Sequence, residues 1–482
     1  MAQRFLFAAA LCSLLGLGCQ AQSHAPPPAS TPDAPACQPA DCGPLAKIAR
    51  ICDDGSTAAP QCARAEGGAC RWEHVCPGPT PAAEAPAPGP GQPAPDAQPP
   101  APQPPGASVA DANAAFAQRL YGALAGTTGK LFFSPASVST ALAMTYAGAR
   151  GETAAQMAKA LELTLPPEAL HPAFGGLAKQ LTQAGPKAPE LRIASRLWGQ
   201  AGLPIEPAFQ STTQQHYGAG IELVDFKGGS EQARGRINRW VDEQTNAKIK
   251  DLMPAGSITP LTRLVLTNAI YFKGRWATPF DKQATKNEPF TVKPGTAPAV
   301  PMMRKTLKAR FGQVDDASVL ELAYEAQDPE RPLAMVVILP AQADGLPKVE
   351  QRLSAGQLKA YVEALQPARV DVALPRFKMA AEFELSKALA ALGMPLAFDA
   401  AKADFSGITR AEPLFLSQVR HKAFVEVNEE GTEAAAATGV VVSTRAAPAP
   451  PQVFRADHPF AFLIRDVATG AVLFMGRVTD PR

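Results

Sequence analysis

Six histidines are spread through the 482 residues: His24, His74, His171, His216, His421 and His458. None stands in H-E-x-x-H spacing. The chain carries no G-x-S-x-G elbow, no G-x-G-x-x-G turn and no phosphate-binding loop. A Ser/His/Asp set meets only in space, and nothing in the sequence promotes one. His421 leads into an apolar segment and reads as a buried, hydrogen-bonded imidazole. The expectation is a protein that is not an enzyme and needs no cofactor or metal.

Cysteine chemistry is confined to the start of the chain. All eight cysteines lie within the first 76 residues. Cys12 falls in an apolar leader, Phe5 to Leu17, that follows Arg4 and has the form of an export signal over 1–18. The leader ends Leu15-Gly16-Leu17-Gly18-Cys19, which is similar to a bacterial lipoprotein box with Cys19 as the lipidated residue. An ordinary cleavage after Gly18 or Ala21 is the competing reading. Cys37, Cys42, Cys52, Cys62, Cys70 and Cys76 follow within 40 residues, with no C-x-x-C pair. In an exported chain this predicts a disulfide-stapled module over 37–76, because so short a segment cannot bury enough core by itself. The cell envelope or the extracellular space is the expected location, with the membrane reached only through a lipid on Cys19.

A second unusual stretch is Glu429-Glu430-Gly431-Thr432-Glu433-Ala434-Ala435-Ala436-Ala437-Thr438. Ala and Glu are poor strand formers, and the run has no large apolar anchor. With period 2, Thr432, Ala434, Ala436 and Thr438 share one side. Small side chains and the absence of proline suit a segment that waits in solvent and later slides between two existing strands. Arg445 is a basic residue shortly beyond it.

The elements that must position these residues occupy 108–482. Ahead of them, 19–36 is a Pro/Ala tether. Residues 77–107 hold 13 prolines, a semi-rigid spacer of roughly 90 Å if extended. Helical periodicity is expected over 111–125, 136–148, 152–162, 231–249 and 382–393. Asp111 can cap the first, and Ser134-Pro135 opens the second. Strands are expected at Leu264–Phe272, Leu333–Leu339, Val370–Phe377, Ala423–Asn428, Ala461–Arg465 and Val472–Val478. The fold class is mixed α/β (α+β). A net charge of +2, from 46 basic and 44 acidic groups, gives no field for nucleic acid.

Several segments resemble one family, the serpins. They are Leu131-Phe132-Phe133-Ser134-Pro135 through Gly148-Ala149-Arg150-Gly151-Glu152-Thr153, then Ile237-Asn238-Arg239-Trp240-Val241, then Leu266-Thr267-Asn268-Ala269-Ile270-Tyr271-Phe272-Lys273-Gly274-Arg275-Trp276. Asp404-Phe405-Ser406-Gly407-Ile408, Asp457-His458-Pro459-Phe460 and Phe474-Met475-Gly476-Arg477-Val478 follow in the right order. The resemblance implies three β-sheets, eight or nine helices and an exposed reactive loop. It makes Glu429 to Thr438 the hinge of that loop. It places Ser134, Ser137, Asn268 and His421 in a polar cluster where the central sheet opens, and Trp276 at the loop's entry point.

The family spacing from Gly431 implies Arg445–Ala446 as the bond offered to a protease. The implied activity is suicide inhibition of a trypsin-like serine protease by a monomer, which captures the acyl-enzyme as the cleaved loop inserts into the sheet. Because the segment from Pro448 to Pro459 is long, Val442 or Thr444 is an alternative bait for an elastase-like protease. An inhibitor of papain-like cysteine proteases, and a non-inhibitory binding serpin, are the remaining alternatives.

Overall fold

The computed structural model describes residues 59–64, 70–75, 107–126, 131–182, 185, 187–329, 331–432 and 450–482. These fall into two compact units, one within 1–98 and one within 99–482. In the first, β1 (Ala59–Arg64) and β2 (Cys70–Val75) form an antiparallel hairpin. Cys62 and Cys70 are both disulfide-bonded. Cys19, Cys37, Cys42, Cys52 and Cys76 lie outside the described residues.

The second unit carries helices α1 (Ala107–Ala125), α2 (Pro135–Tyr146), α3 (Gly151–Ala160), α4 (Pro167–Leu181), α5 (Pro207–Tyr217), α6 (Ser230–Gln244), α7 (Leu346–Ser354), α8 (Leu358–Glu363) and α9 (Ser386–Ala391). Its strands are β3 (Leu131–Phe133), β4 (Glu190–Gln200), β5 (Ile221–Val224), β6 (Leu264–Arg275), β7 (Lys286–Pro289), β8 (Ala299–Val314), β9 (Ala317–Ala323) and β10 (Leu333–Pro340). They continue with β11 (Gln366–Pro375), β12 (Phe377–Glu384), β13 (Leu416–Val427), β14 (Gly431–Thr432), β15 (Gln452–Arg455), β16 (Phe460–Asp466) and β17 (Val472–Val478).

One sheet runs in the order β12-β13-β6-β4-β5, with β14 added on β6. Its two central strands, β13 and β6, are parallel, whereas β6 is antiparallel to β4. The other sheet runs β15-β11-β8-β9-β10-β16-β17-β3, with β7 on β8. The 16-residue β8 is shared between two groups of strands. Its residues 302–311 pair with β11, and only 310–314 pair with β9. A strand that switches partners in this way makes a corner and joins two of the three expected sheets into one hydrogen-bonded ladder.

Sequence accounts for the buried middle. Residues Leu264–Phe272 of β6 and all of β10 are buried on both faces, as strands covered on each side must be. Helix α2 is buried at ten of its twelve positions. Ser134 caps it, its hydroxyl accepting from the Ser137 N–H at 3.2 Å, and Pro135 fills the first helical position. The helix expected over 382–393 is shorter than the pattern suggests. Residues 382–384 complete β12, and only Ser386–Ala391 are helical. Pairing Glu382 and Glu384 with Lys422 and Arg420 of β13 overrides their helical propensity.

Candidate functional site

Cluster beneath the central strands. β-register sets Phe383, His421, Asn268 and Ser195 side by side on β12, β13, β6 and β4. Helix α2 crosses this row. The Ser134 N–H donates to His421 Nε2 at 3.0 Å, so that nitrogen is unprotonated. His421 Nδ1–H therefore donates to Asn268 Oδ1 at 2.7 Å. The same oxygen accepts from the Ser137 hydroxyl at 2.7 Å. Asn268 Nδ2 donates to Ser137 O at 3.0 Å and to Ser195 Oγ at 2.6 Å. Every hydrogen-bonding position of the Asn268 amide is thus filled, in a site with almost no solvent exposure. Burial pushes His421 down to about 3, only partly offset by its bond to Asn268. A neutral imidazole bridges the two strands that the loop is expected to part, and a proton on Nε2 would face the Ser134 N–H donor. Ser195 is a member that sequence reading missed; only the register of β4 on β6 reveals it.

Entry to the sheet. After β13 the chain turns at Asn428, and the following three carbonyl bonds are made by one short segment. Trp276 Nε1 donates to Asn428 O at 3.0 Å, Phe280 N to Glu429 O at 2.7 Å, and Trp276 N to Glu430 O at 2.9 Å. The Trp276 ring stacks on Tyr324 with centroids 4.6 Å apart and planes 10° from parallel. Glu429 is 2% exposed. Its carboxylate accepts from Thr285 Oγ1 at 2.6 Å and from Arg376 Nε at 3.0 Å. Glu430 pairs with Lys282. Thr285, Arg376, Lys282 and Tyr324 carried no signal in sequence, because their role depends on partners 50 to 150 residues away.

Gly431 and Thr432 form the two-residue β14, antiparallel to β6 at Arg275 and Gly274. Gly431 has φ +144°, and a Cβ there would sit 2.1 Å from Gly274 O. Only glycine fits this close approach. Thr432 is fully buried, its hydroxyl 3.0 Å from that of Tyr324. The rest of the expected hinge, Glu433, Ala434, Ala435, Ala436, Ala437 and Thr438, lies outside the described residues, as do Arg445 and Ala446. Among the described residues no group of three or more metal-binding side chains occurs.

Relatives. A family profile, Serpin (serine protease inhibitor), matches residues 111–481. Leukocyte elastase inhibitor of Bos taurus is 43% identical over 381 residues, covering 77% of this chain and 98% of that protein. A serpin-like protein of Thermococcus kodakarensis is 41% identical over 381 residues, covering 78% and 86%. Among solved structures, uncleaved ovalbumin superimposes with TM-score 0.68 at 31% identity, over 77% of this chain and 100% of its own. An Arabidopsis serpin in its native stressed conformation does so with TM-score 0.69 at 28% identity, over 78% and 98%. The chain belongs to the serpins, the serine protease inhibitor family.

Proposed function

We propose that this protein is a single-use inhibitor of trypsin-like serine proteases, not an enzyme, exported and held at the envelope by a lipid on Cys19 or released. The observation that carries the inhibitory reading is β14. Two hinge residues already occupy the first rungs between the open ends of β13 and β6.

Continuing that antiparallel register sets Ala434 opposite Phe272, Ala436 opposite Ile270 and Thr438 opposite Asn268. Phe272 and Ile270 belong to the main core, so the inward positions of the incoming strand are the small ones. Glu433 would stand opposite Lys273, on the other face. The register reaches Leu264, the first residue of β6, at Val442. Arg445 then lies three residues past the far end of the strand, roughly 44 Å along the sheet from Gly274 if extended.

The chemistry follows. The Arg445 guanidinium pairs with the carboxylate at the base of a trypsin-like specificity pocket. The protease serine attacks the Arg445 carbonyl, the bond to Ala446 breaks, and the acyl-enzyme forms. The freed loop zips into the sheet, gaining a ladder on both edges. Thr438 takes the place of His421 against Asn268 as the strands part. The tethered protease is carried to the far pole and distorted before water can deacylate it. The uninserted fold is protected by a barrier rather than by its free energy.

Similarity to leukocyte elastase inhibitors supports protease inhibition in general, and Arg445 at the family spacing supports the trypsin-like class. Incubation with trypsin, elastase and papain separates the readings. A denaturant-resistant complex with papain alone would favour the cysteine-protease alternative, and none with any protease would favour a binding serpin.

A further inference from the structure

The corner made by β8 leaves a fork. β8 and β9 are paired up to Arg310 and Glu321 and then separate, β8 following β11 and β9 following β10. The fork holds a cavity of about 330 Å³. Leu307, Leu322 and Ala334 wall it, and Trp276 and Phe280 close one side. This volume lies at the low end of the range for small-molecule sites, and most of the lining is apolar. Lys308 and Arg310 stand at the lining. Arg310 is committed to Glu321 and to Leu365 O. Lys308 is exposed, makes no ion pair among the described residues and lies directly opposite Arg369 of β11. Like charges opposed across strands cost stability, and an anion would relieve that cost.

The segment that closes the cavity is the one that grips the loop. Trp276 and Phe280 line the fork, while their N–H groups hold the carbonyls of Asn428, Glu429 and Glu430. The same segment is tied to the fork's edge by Ala277 N–H to Ala323 O at 3.0 Å. β13 must move away from β6 by about one strand spacing, ~4.8 Å, to admit the loop, so the grip on 428–430 must yield.

We propose that the fork binds a small amphipathic anion, a flat apolar body with a carboxylate or sulfonate against Lys308, and that occupancy stiffens Trp276–Phe280 and delays loop insertion. The coupling to inhibition rests on the insertion reading above; the binding site does not. When insertion is delayed, deacylation overtakes it, and the protein is spent as a substrate.

The probe is naphthalene-2-sulfonate, followed by calorimetry on the full chain. One-to-one binding is expected, weakened about fivefold or more in Lys308→Ala, the loss of one charge-assisted contact. Ala309→Phe, which fills the fork, should abolish it. Bound probe should slow hydrogen exchange at the Trp276 and Phe280 amides and raise the fraction of protein cleaved rather than captured by trypsin. Binding indifferent to both substitutions, or exchange at Trp276 and Phe280 unchanged at saturation, overturns the proposal. Lys308 is exposed, so its variant reports even if Ala309→Phe folds poorly. If no protease is captured at all, the functional reading falls, and the calorimetry and exchange still decide this one.

Discussion

The hydroxyls of Thr432 and Tyr324 meet at 3.0 Å in a site closed to solvent, beneath the Trp276 ring that stacks on Tyr324. The position proposed as the first inward one of the reactive loop is therefore an occupied socket with a defined partner. Thr432→Arg cannot keep that socket, since an unpaired buried charge costs several kcal/mol. The variant is expected to be cleaved by trypsin without forming a stable complex. Electrophoresis under denaturing conditions checks this; unimpaired capture would show that Thr432 does not lead the insertion.

Glu429 is a buried carboxylate held by Arg376 and Thr285, with Lys282 on the neighbouring Glu430. Glu429→Lys leaves Arg376 unpaired and places a third cation in the group. Breaking a buried pair from one side costs about 3–5 kcal/mol, though Arg376 is half-exposed and brings the figure toward the lower end. The expected outcome is a lower thermal transition of the uncleaved protein and self-association on mild heating, as the loosened entry accepts another molecule's loop. Glu429→Gln keeps the hydrogen-bonding shape and should lose less. Calorimetry and light scattering compare the two.

Gly431 sits at φ +144° against Gly274 O. Gly431→Ala adds a Cβ that must displace the backbone, and the conformation itself costs about 1–3 kcal/mol for a side-chain residue. Release of β14 from β6 is expected, read as faster amide exchange at Arg275 and Thr432. Exchange equal to wild type would contradict the assigned close approach.

The pH dependence follows from His421, pushed down to about 3 by burial. The fold favours the neutral ring. Its contribution is complete above the unfolded value of about 6.5 and is lost as pH falls from there toward 3. The loss runs at up to ~1.4 kcal/mol per pH unit. His171, pushed down to about 4 by burial and by His216, adds in the same direction. The rate of opening in urea should rise as pH falls from 6.5 to 4, with a shallower rise in His421→Gln. Equal slopes would remove His421 from the barrier.

Much of this was legible in the residues. Met335–Leu339 is apolar on both faces and is a buried strand, and Leu264–Phe272, expected as a strand, is buried in β6 despite Thr267 and Asn268. Of the alternating positions Thr432, Ala434, Ala436 and Thr438, only Thr432 is among the described residues, and it is buried. The clamp was not legible. Thr285, Arg376 and Tyr324 are ordinary residues until the fold brings them to Glu429 and Thr432. Ser195 joins Asn268 only through the β4–β6 register, and a one-residue slip would have turned it outward. The fork between β8 and β9 depends on where two ladders part, which no periodicity encodes.

The central claim is that Arg445–Ala446 is cut and that Thr432 to Val442 then fill the gap between β13 and β6. Reaction with catalytic-site-intact trypsin, followed by denaturing electrophoresis and mass spectrometry of the released C-terminal peptide, tests both parts together. The account predicts a complex that survives denaturant and a peptide beginning at Ala446. Cleavage at that bond with free, active trypsin and no surviving complex would contradict it.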